Sequence, residues 1–169
     1  MLSCEKPIIA AVNGYALGLG ATVALLADVA VVAPSTQFAD THVNMGIGAG
    51  DGGQVIWPFL IGVNRAKYYL MSGDKIGGKE AVEMGLASFI VSEDDQLLPR
   101  AIEIASTLAV GAPLAVAASK LAINAYLRSI SATVFPLAAR AQEETMGSND
   151  HQEAIAAFQE KRAPHFTGK

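Results

Sequence analysis

The sequence has little charge and only one cysteine. Of its 169 residues, 17% are charged, which is below the usual quarter, and 51% are hydrophobic. A soluble monomer normally carries more surface charge, so we expect apolar surface to be buried between subunits. The single Cys4 excludes an internal disulfide and favours a reducing compartment, which makes the cytoplasm the expected location.

Long apolar runs, basic clusters and cofactor motifs are also absent. No run of eighteen apolar residues occurs, so we expect no membrane span, and residues 1–12 lack the pattern of a signal peptide. The net charge of −4 without a basic cluster argues against a nucleic-acid partner. The histidines show no metal-ligand spacing, and position 23 is valine where a dinucleotide fingerprint has its third glycine. We therefore expect neither a metal nor a nucleotide cofactor.

A glycine-rich turn near the start organises the rest of the chain. Residues 8–12 form an unbroken apolar run that is typical of a strand buried on both faces, and residues 21–27 predict a helix. Between them, Gly18 and Gly20 flank Leu19. Such a turn directs free backbone N–H groups at one point, where they can bind an anion, a carbonyl oxygen or an oxyanion. A turn that merely packs a helix on a strand fits the same pattern.

The remaining patterns predict an α/β region followed by a helical region. Strands are predicted at residues 28–33, 37–39 and 87–91, and helices at 54–60, 65–72 and 78–84. Beyond Ser92, helices are predicted at residues 95–110, 114–128, 131–147 and 149–161. We therefore expect two regions, 1–92 and 93–169, without a flexible linker between them.

Spaced matches along nearly the whole chain resemble one family. They are Lys6–Gly20, Asp28, Phe38, Gly46, Gly50–Gly53, Ile61–Gly62, Leu70–Asp74, Ala81–Leu86 and Phe158–Arg162. On these residues the chain is identified as a member of the enoyl-CoA hydratase/isomerase, or crotonase, family. The resemblance implies an α/β crotonase-like fold, in which a spiral of β-β-α turns is followed by C-terminal trimerisation helices. Residues 1–92 would be the later turns of the spiral, and residues 93–169 the oligomerisation region.

The resemblance also implies an acyl-CoA thioester substrate, with coenzyme A present only as part of that substrate. Family members hold the thioester oxygen with two backbone N–H groups, and one of these falls here on Leu19. Gly18 and Gly20 would then contact the substrate. In the family the second donor precedes the strand that here begins at Lys6, so we expect the chain to be N-terminally truncated relative to the family.

The two glutamates of family hydratases are replaced in this sequence. The resemblance places Thr22 and His42 at their positions, and Thr22 cannot act as a general base. We therefore assign Thr22 to substrate binding and do not expect hydration by two glutamates. His42 could replace one of them, because its ordinary pKa near 6.5 suits acid–base catalysis. A partly exposed loop histidine is the alternative, and Asp40 could orient the ring.

Asp51 is the second candidate for proton transfer. It lies among glycines that line the acyl pocket in the family, and some isomerases and hydrolytic members use an aspartate in this loop. Alternatively, Asp51 caps the helix that begins near Gly52. Gly50 and Trp57 are assigned to the acyl pocket, although Trp57 fits a core position equally well.

Two functions are consistent with these assignments. The first is an enzyme that acts on an acyl-CoA or enoyl-CoA thioester, with Leu19 stabilising an enolate and His42 or Asp51 moving protons. Isomerase, hydrolase or lyase chemistry is favoured over hydration. The alternative is a non-catalytic module that assembles homotrimers or hexamers. Near the end of the chain, Lys161 and Arg162 could meet a phosphate of coenzyme A or simply end a solvated helix.

Overall fold

The computed structural model describes residues 1–169 and contains six strands and seven helices. The strands are β1 (Ile9–Val12), β2 (Tyr15–Leu17), β3 (Val29–Val32), β4 (Gln37–Ala39), β5 (Ile76–Gly77) and β6 (Phe89–Ile90). The helices are α1 (Leu19–Leu25), α2 (Gly53–Ile61), α3 (Val63–Ser72), α4 (Gly78–Glu83), α5 (Leu97–Ala109), α6 (Pro113–Met146) and α7 (Asn149–Glu160). Short 3₁₀ turns occur at Val43–Met45 and Asp94–Gln96.

The strands form two sheets of three strands, ordered β1-β3-β6 and β2-β4-β5. β1 pairs in parallel with β3, with Ile9 opposite Val29, and β2 pairs in parallel with β4, with Tyr15 opposite Gln37. Parallel partners need a crossover, which α1 provides. β2 and β5 were not predicted, because residues 13–20 were assigned to the glycine-rich turn and Ile76 is an isolated apolar residue between Lys75 and Gly77. The crossover brings the ends of β2 and β4 to one place.

Apolar side chains from both sheets and from α1 to α4 form the main core. Its largest fully buried side chains are Trp57, Phe38, Ile76 and Leu86. A second cluster lies under α5 and consists of Val31, Ala33, Val91, Leu97 and Ala101. The helical region therefore packs directly on the first sheet, and the division of the chain at residue 92 stays a prediction.

The helical region differs from the prediction at one place. Residues 113–146 form a single helix of 34 residues, where two helices, 114–128 and 131–147, were predicted. Ser131 is a good N-cap residue, yet it lies inside α6, as does Pro136. Because α6 is held by tertiary contacts near both of its ends, those contacts outweigh the local capping signal. The prediction of a break between two helices was therefore wrong.

The first half of α6 holds the N-terminal residues in place. The ammonium group of Lys120 lies 2.7 Å from the carboxylate of Asp28 and donates to the carbonyl of Lys6 at 2.8 Å. One turn later, the amide of Asn124 donates to the carbonyl of Leu2 at 3.2 Å.

No single helix of the chain is long and apolar enough to cross a membrane, although the bent pair 94–109 and 113–146 together meet that test of length and composition.

Candidate active site

Four polar side chains form a network at the ends of β2 and β4. Asp40 and His42 follow β4, Asp51 precedes α2, and Thr22 lies on α1. Oδ1 of Asp40 lies 2.6 Å from Nδ1 of His42, and Nε2 of His42 lies 3.4 Å from Oδ2 of Asp51. The hydroxyl of Thr22 donates to Oδ1 of Asp51 at 2.9 Å. We call these four residues the His42 network, which contains both predicted acid–base candidates.

His42 lies between two carboxylates. The hydrogen bond to Asp40 is the main cause that raises the pKa of His42 above its ordinary value of 6.5; burial opposes this effect, and the negative charges of Asp40 and Asp51 add to it. A protonated imidazole donates from both nitrogens, which suits a ring with a carboxylate on each side. The predicted orienting role of Asp40 is therefore supported by a short contact.

The contact between His42 and Asp51 is weaker than the contact between His42 and Asp40. At 3.4 Å it is an ion pair, and Oδ2 of Asp51 accepts no hydrogen bond from the protein. The other oxygen of Asp51 is held by Thr22. One oxygen of this carboxylate is thus fixed by Thr22, while the other is buried, faces Nε2 of His42 and accepts no hydrogen bond.

The glycine turn lies directly against this network. Gly18 adopts φ +51°, and a Cβ at this position would lie 3.3 Å from Cε1 of His42, so the turn passes over the imidazole. Helix α1 begins at Leu19, two residues earlier than predicted. The Leu19 N–H is therefore the first of the helix and has no acceptor within it. A Cβ at Gly20 would meet no atom within 4 Å, so the turn borders open space.

Gly50 and Trp57, which were assigned to the acyl pocket, both pack against other parts of the chain. A Cβ at Gly50 would overlap the side chain of Gln142, so Gly50 packs closely against α6. Trp57 is fully buried in the main core, which is the core position given as its alternative. The assignment of both residues to an acyl pocket stays a prediction.

Two further alternatives are decided by the contacts. Helix α2 has Gly52 at its N-cap without any side-chain hydrogen bond, so Asp51 does not cap it. Arg162 forms ion pairs with Glu153 and Glu160 beside α7, and its hydrogen bond to Glu153 is the main cause that lowers the pKa of Glu153 to about 2. The guanidinium is therefore engaged with α7, whereas Lys161 is exposed at the end of this helix.

Two residues that hold the candidate loop were missed in the sequence. The hydroxyl of Thr145 on α6 accepts a hydrogen bond from the Gly48 N–H at 2.9 Å. Nδ1 of His151 on α7 lies 2.7 Å from the carbonyl of Met45, to which it donates. These partners are 97 and 106 residues apart in the chain, so no local pattern could have paired them.

Three of these side chains have the composition of a metal site. One ligand atom from each of Asp40, His42 and Asp51 lies within 4.8 Å of the others. Each ring nitrogen of His42 faces a carboxylate oxygen, at 2.6 Å and 3.4 Å, so the imidazole is placed to donate a proton to either one. The same arrangement is therefore suited to hold and move a proton.

The sequence profile of the enoyl-CoA hydratase/isomerase family matches residues 1–169. The chain belongs to the enoyl-CoA hydratase/isomerase family. It is 36% identical over 158 residues to the short-chain-enoyl-CoA hydratase of Clostridium acetobutylicum, covering 94% of this chain and 60% of that protein. It is 37% identical over 170 residues to the 2,3-dehydroadipyl-CoA hydratase of Escherichia coli, covering 98% of this chain and 64% of that protein.

Solved structures of the family share the fold. A crystal structure of an enoyl-CoA hydratase/isomerase from Pseudoalteromonas atlantica matches with a TM-score of 0.90 and 32% identity, covering 98% of this chain and 67% of that one. The prediction of a crotonase-like α/β fold is therefore confirmed. The chain spans 60% to 65% of the length of curated family relatives. Trimer formation stays a prediction.

Proposed function

We propose that this member of the enoyl-CoA hydratase/isomerase family transfers a proton on an acyl-CoA or enoyl-CoA thioester, using Asp51 and His42. One observation carries the proposal: the His42 network lies directly under the glycine turn that begins α1. A group able to move a proton and a group able to stabilise an oxyanion are thus within one substrate's reach. This pairing is what enolate chemistry beside a thioester requires.

The turn would stabilise the negative charge that develops during the reaction. When a proton leaves the carbon next to the thioester carbonyl, the bonding electron pair moves onto the thioester oxygen. The Leu19 N–H, at the positive end of the α1 dipole, is suited to donate to that oxygen. Losing one such donor typically costs about 3–4 kcal/mol of transition-state stabilisation.

Asp51 would be the group that accepts this proton. Its Oδ1 is held by Thr22, whereas Oδ2, which is buried in the substrate-free chain and accepts no hydrogen bond, would receive the proton. When His42 is protonated, this imidazole, held by Asp40, would balance the negative charge beside it. With a 3-enoyl thioester the intermediate would be a dienolate, and return of the proton to its γ carbon would move the double bond and complete an isomerisation.

Isomerase, hydrolase or lyase chemistry suits this site better than hydration by two carboxylates. The relatives from Clostridium acetobutylicum and Escherichia coli are named hydratases, which favours addition of water. In this chain, however, the two glutamate positions carry Thr22 and His42, and the Thr22 hydroxyl donates to Asp51. A hydroxyl with an ordinary pKa cannot activate water near neutral pH, and neither position supplies a carboxylate.

Deuterium exchange tests the proposal directly. The purified chain is incubated in deuterium oxide with butyryl-CoA, whose carbon next to the carbonyl can exchange, and separately with crotonyl-CoA, whose double bond can add water. Mass spectrometry measures deuterium incorporation in the first and hydrated product in the second. We expect incorporation without hydration, and a loss of about 10²-fold or more in Asp51→Asn. Asp74→Asn is the matched control, because Asp74 is exposed and contacts the hydroxyl of Tyr68. Incorporation that survives in Asp51→Asn would exclude the assigned role of Asp51.

A second candidate function is supported by exposed apolar side chains in the helical region. Large apolar side chains on α5 and α6 are exposed, which indicates a protein–protein contact surface. They are Leu98, Ile102, Leu114, Ile123, Tyr126 and Leu137. A module that only assembles trimers would bury this surface without binding the thioester. Analytical ultracentrifugation distinguishes the two functions when it is combined with thermal unfolding in the presence of crotonyl-CoA. A trimer whose melting temperature does not change supports the assembly module.

A further inference from the structure

The loop that carries Asp51 is held by helices from the far end of the chain. Residues 42–52, which we call the catalytic loop, begin at His42 and end just after Asp51. Thr145 on α6 accepts a hydrogen bond from the Gly48 N–H in the middle of this loop. His151 on α7 donates to the carbonyl of Met45 in its first half. These two side chains supply polar anchors to an otherwise irregular segment.

Close backbone packing accompanies the two hydrogen bonds. A Cβ at Gly46 would lie 2.8 Å from the carbonyl of Asp150 at the start of α7. A Cβ at Gly50 would lie 2.7 Å from the carbonyl of Ala138 on α6. The α6 residues that face the loop, 138, 142 and 145, follow the spacing of a single helix face. The loop is therefore seated against α6 and α7 along its length.

We propose that Thr145 and His151 are positioning residues, which hold the catalytic loop so that Asp51 stays against His42. The catalytic consequence of this inference rests on the proposed function. The structural part does not, because it concerns only the distance between two side chains of the chain itself.

If the catalytic loop moves, the contact between Asp51 and His42 should be lost before the contact between Asp40 and His42. The bond between Asp40 and His42 spans two residues and includes a second contact from the His42 backbone, so it is local. The contact between His42 and Asp51 spans nine residues and is already 3.4 Å long. A shift of the loop by about 1 Å would break this ion pair, and misplacement on that scale costs about 10²-fold in rate.

Histidine titration by NMR tests the inference without any substrate. The charged groups that face His42 are Asp40 and Asp51, so loss of the Asp51 contact removes one of the causes that raise the pKa of His42. We expect Thr145→Val to lower the pKa of His42. Thr145→Ser should leave it at the native value, because serine keeps the hydroxyl that accepts from the Gly48 N–H. Thr107→Val is the matched control, since the Thr107 hydroxyl bonds only the carbonyl of Glu103 in its own helix.

A second pair of variants covers the case in which Thr145→Val does not fold. His151→Leu removes the donor to Met45, whereas His151→Asn keeps a donor near the position of Nδ1. We expect the leucine variant to lower the pKa of His42 and the asparagine variant to retain it. Unchanged titration of His42 in folded Thr145→Val or in folded His151→Leu would overturn the inference.

Deuterium exchange with butyryl-CoA separates this inference from the proposed function. If the native chain exchanges, we expect Thr145→Val to lower kcat by about 10²-fold with little change in KM. If Thr145→Val lowers kcat but leaves the pKa of His42 unchanged, the positioning role is overturned while the proposed function stays in place. If Thr145→Val lowers the pKa of His42 but the native chain never exchanges deuterium, the positioning role is upheld and the proposed function is contradicted.

Discussion

Oδ1 of Asp40 contacts His42 twice, at Nδ1 of the ring at 2.6 Å and at the backbone N–H at 3.3 Å. One buried oxygen therefore fixes both the main chain and the ring orientation of the histidine. The other oxygen, Oδ2, accepts no hydrogen bond and lies beside α2, where a Cβ at Gly53 would come within 2.7 Å of it. The first residue of α2 must accordingly be small.

Replacing Asp40 tests the electrostatic role of this contact. Asp40→Asn keeps the size of the side chain but removes its charge, so the main cause of the raised pKa of His42 is weakened while burial still lowers it. We expect the pKa of His42 to fall toward or below 6.5. NMR titration of the imidazole measures the change, with Asp74→Asn as the control. An unchanged value would show that Asp40 does not govern the charge of His42.

The raised pKa of His42 makes the stability of the fold depend on pH. The folded state binds this proton more tightly than the unfolded state, so the stabilisation is complete below about pH 6.5 and is lost as the pH rises through the raised pKa. Urea unfolding measures the free energy of unfolding of the native chain and of His42→Gln. We expect the native value to be the higher of the two at about pH 6, and the difference to be smaller at about pH 9. A difference that grows with pH would contradict this sign.

Close packing of Gly50 against α6 predicts a cost for any side chain there. In Gly50→Ala the new methyl group would meet the side chain of Gln142 and the carbonyl of Ala138, and such overpacking typically costs about 1–3 kcal/mol. Gly20→Ala is the control, because a Cβ there meets no atom within 4 Å. Unfolding in urea measures both variants. Equal stabilities would mean that α6 yields readily at this contact.

The ion pair that holds the N-terminal residues should contribute more than a surface pair. Lys120 has a side chain only 6% exposed and contacts both Asp28 and the carbonyl of Lys6. We expect Lys120→Met to cost about 3 kcal/mol of unfolding free energy, because it leaves the partly buried carboxylate of Asp28 without its cation. Lys79→Met is the control, since Lys79 is 84% exposed and pairs with Glu83 at 3.8 Å. Equal effects in thermal or urea unfolding would contradict the difference.

Much of the fold was predictable because the glycine and apolar patterns are local. The strand at residues 8–12, the turn at Gly18 and the helix that follows depend on neighbouring residues, and the structure contains all three. The exact start of α1 at Leu19 was not predictable. The pattern shows which residues are apolar, but not that Gly18 alone provides the cap.

The candidate site was predictable only in part, because long-range contacts complete it. His42 and Asp51 were identified from family positions, whereas the hydroxyl of Thr22 reaches Asp51 across 29 residues. The anchors Thr145 and His151 are still further away in the chain. Their side chains are ordinary on their own, and their role arises from the seating of α6 and α7 on the loop.

The length of α6 has a consequence for the order in which parts of the protein fold during synthesis. This helix contacts residues near the start of the chain through Lys120 and the middle of the chain through Thr145. Synthesis proceeds from the N-terminus, so Lys6 and Gly48 lack these partners until residues 120 and 145 have been translated. Contacts of this sequence separation also slow folding. The site should therefore be among the last parts of the molecule to form on the ribosome, and a nascent chain halted before residue 145 would carry Asp51 on an unseated loop.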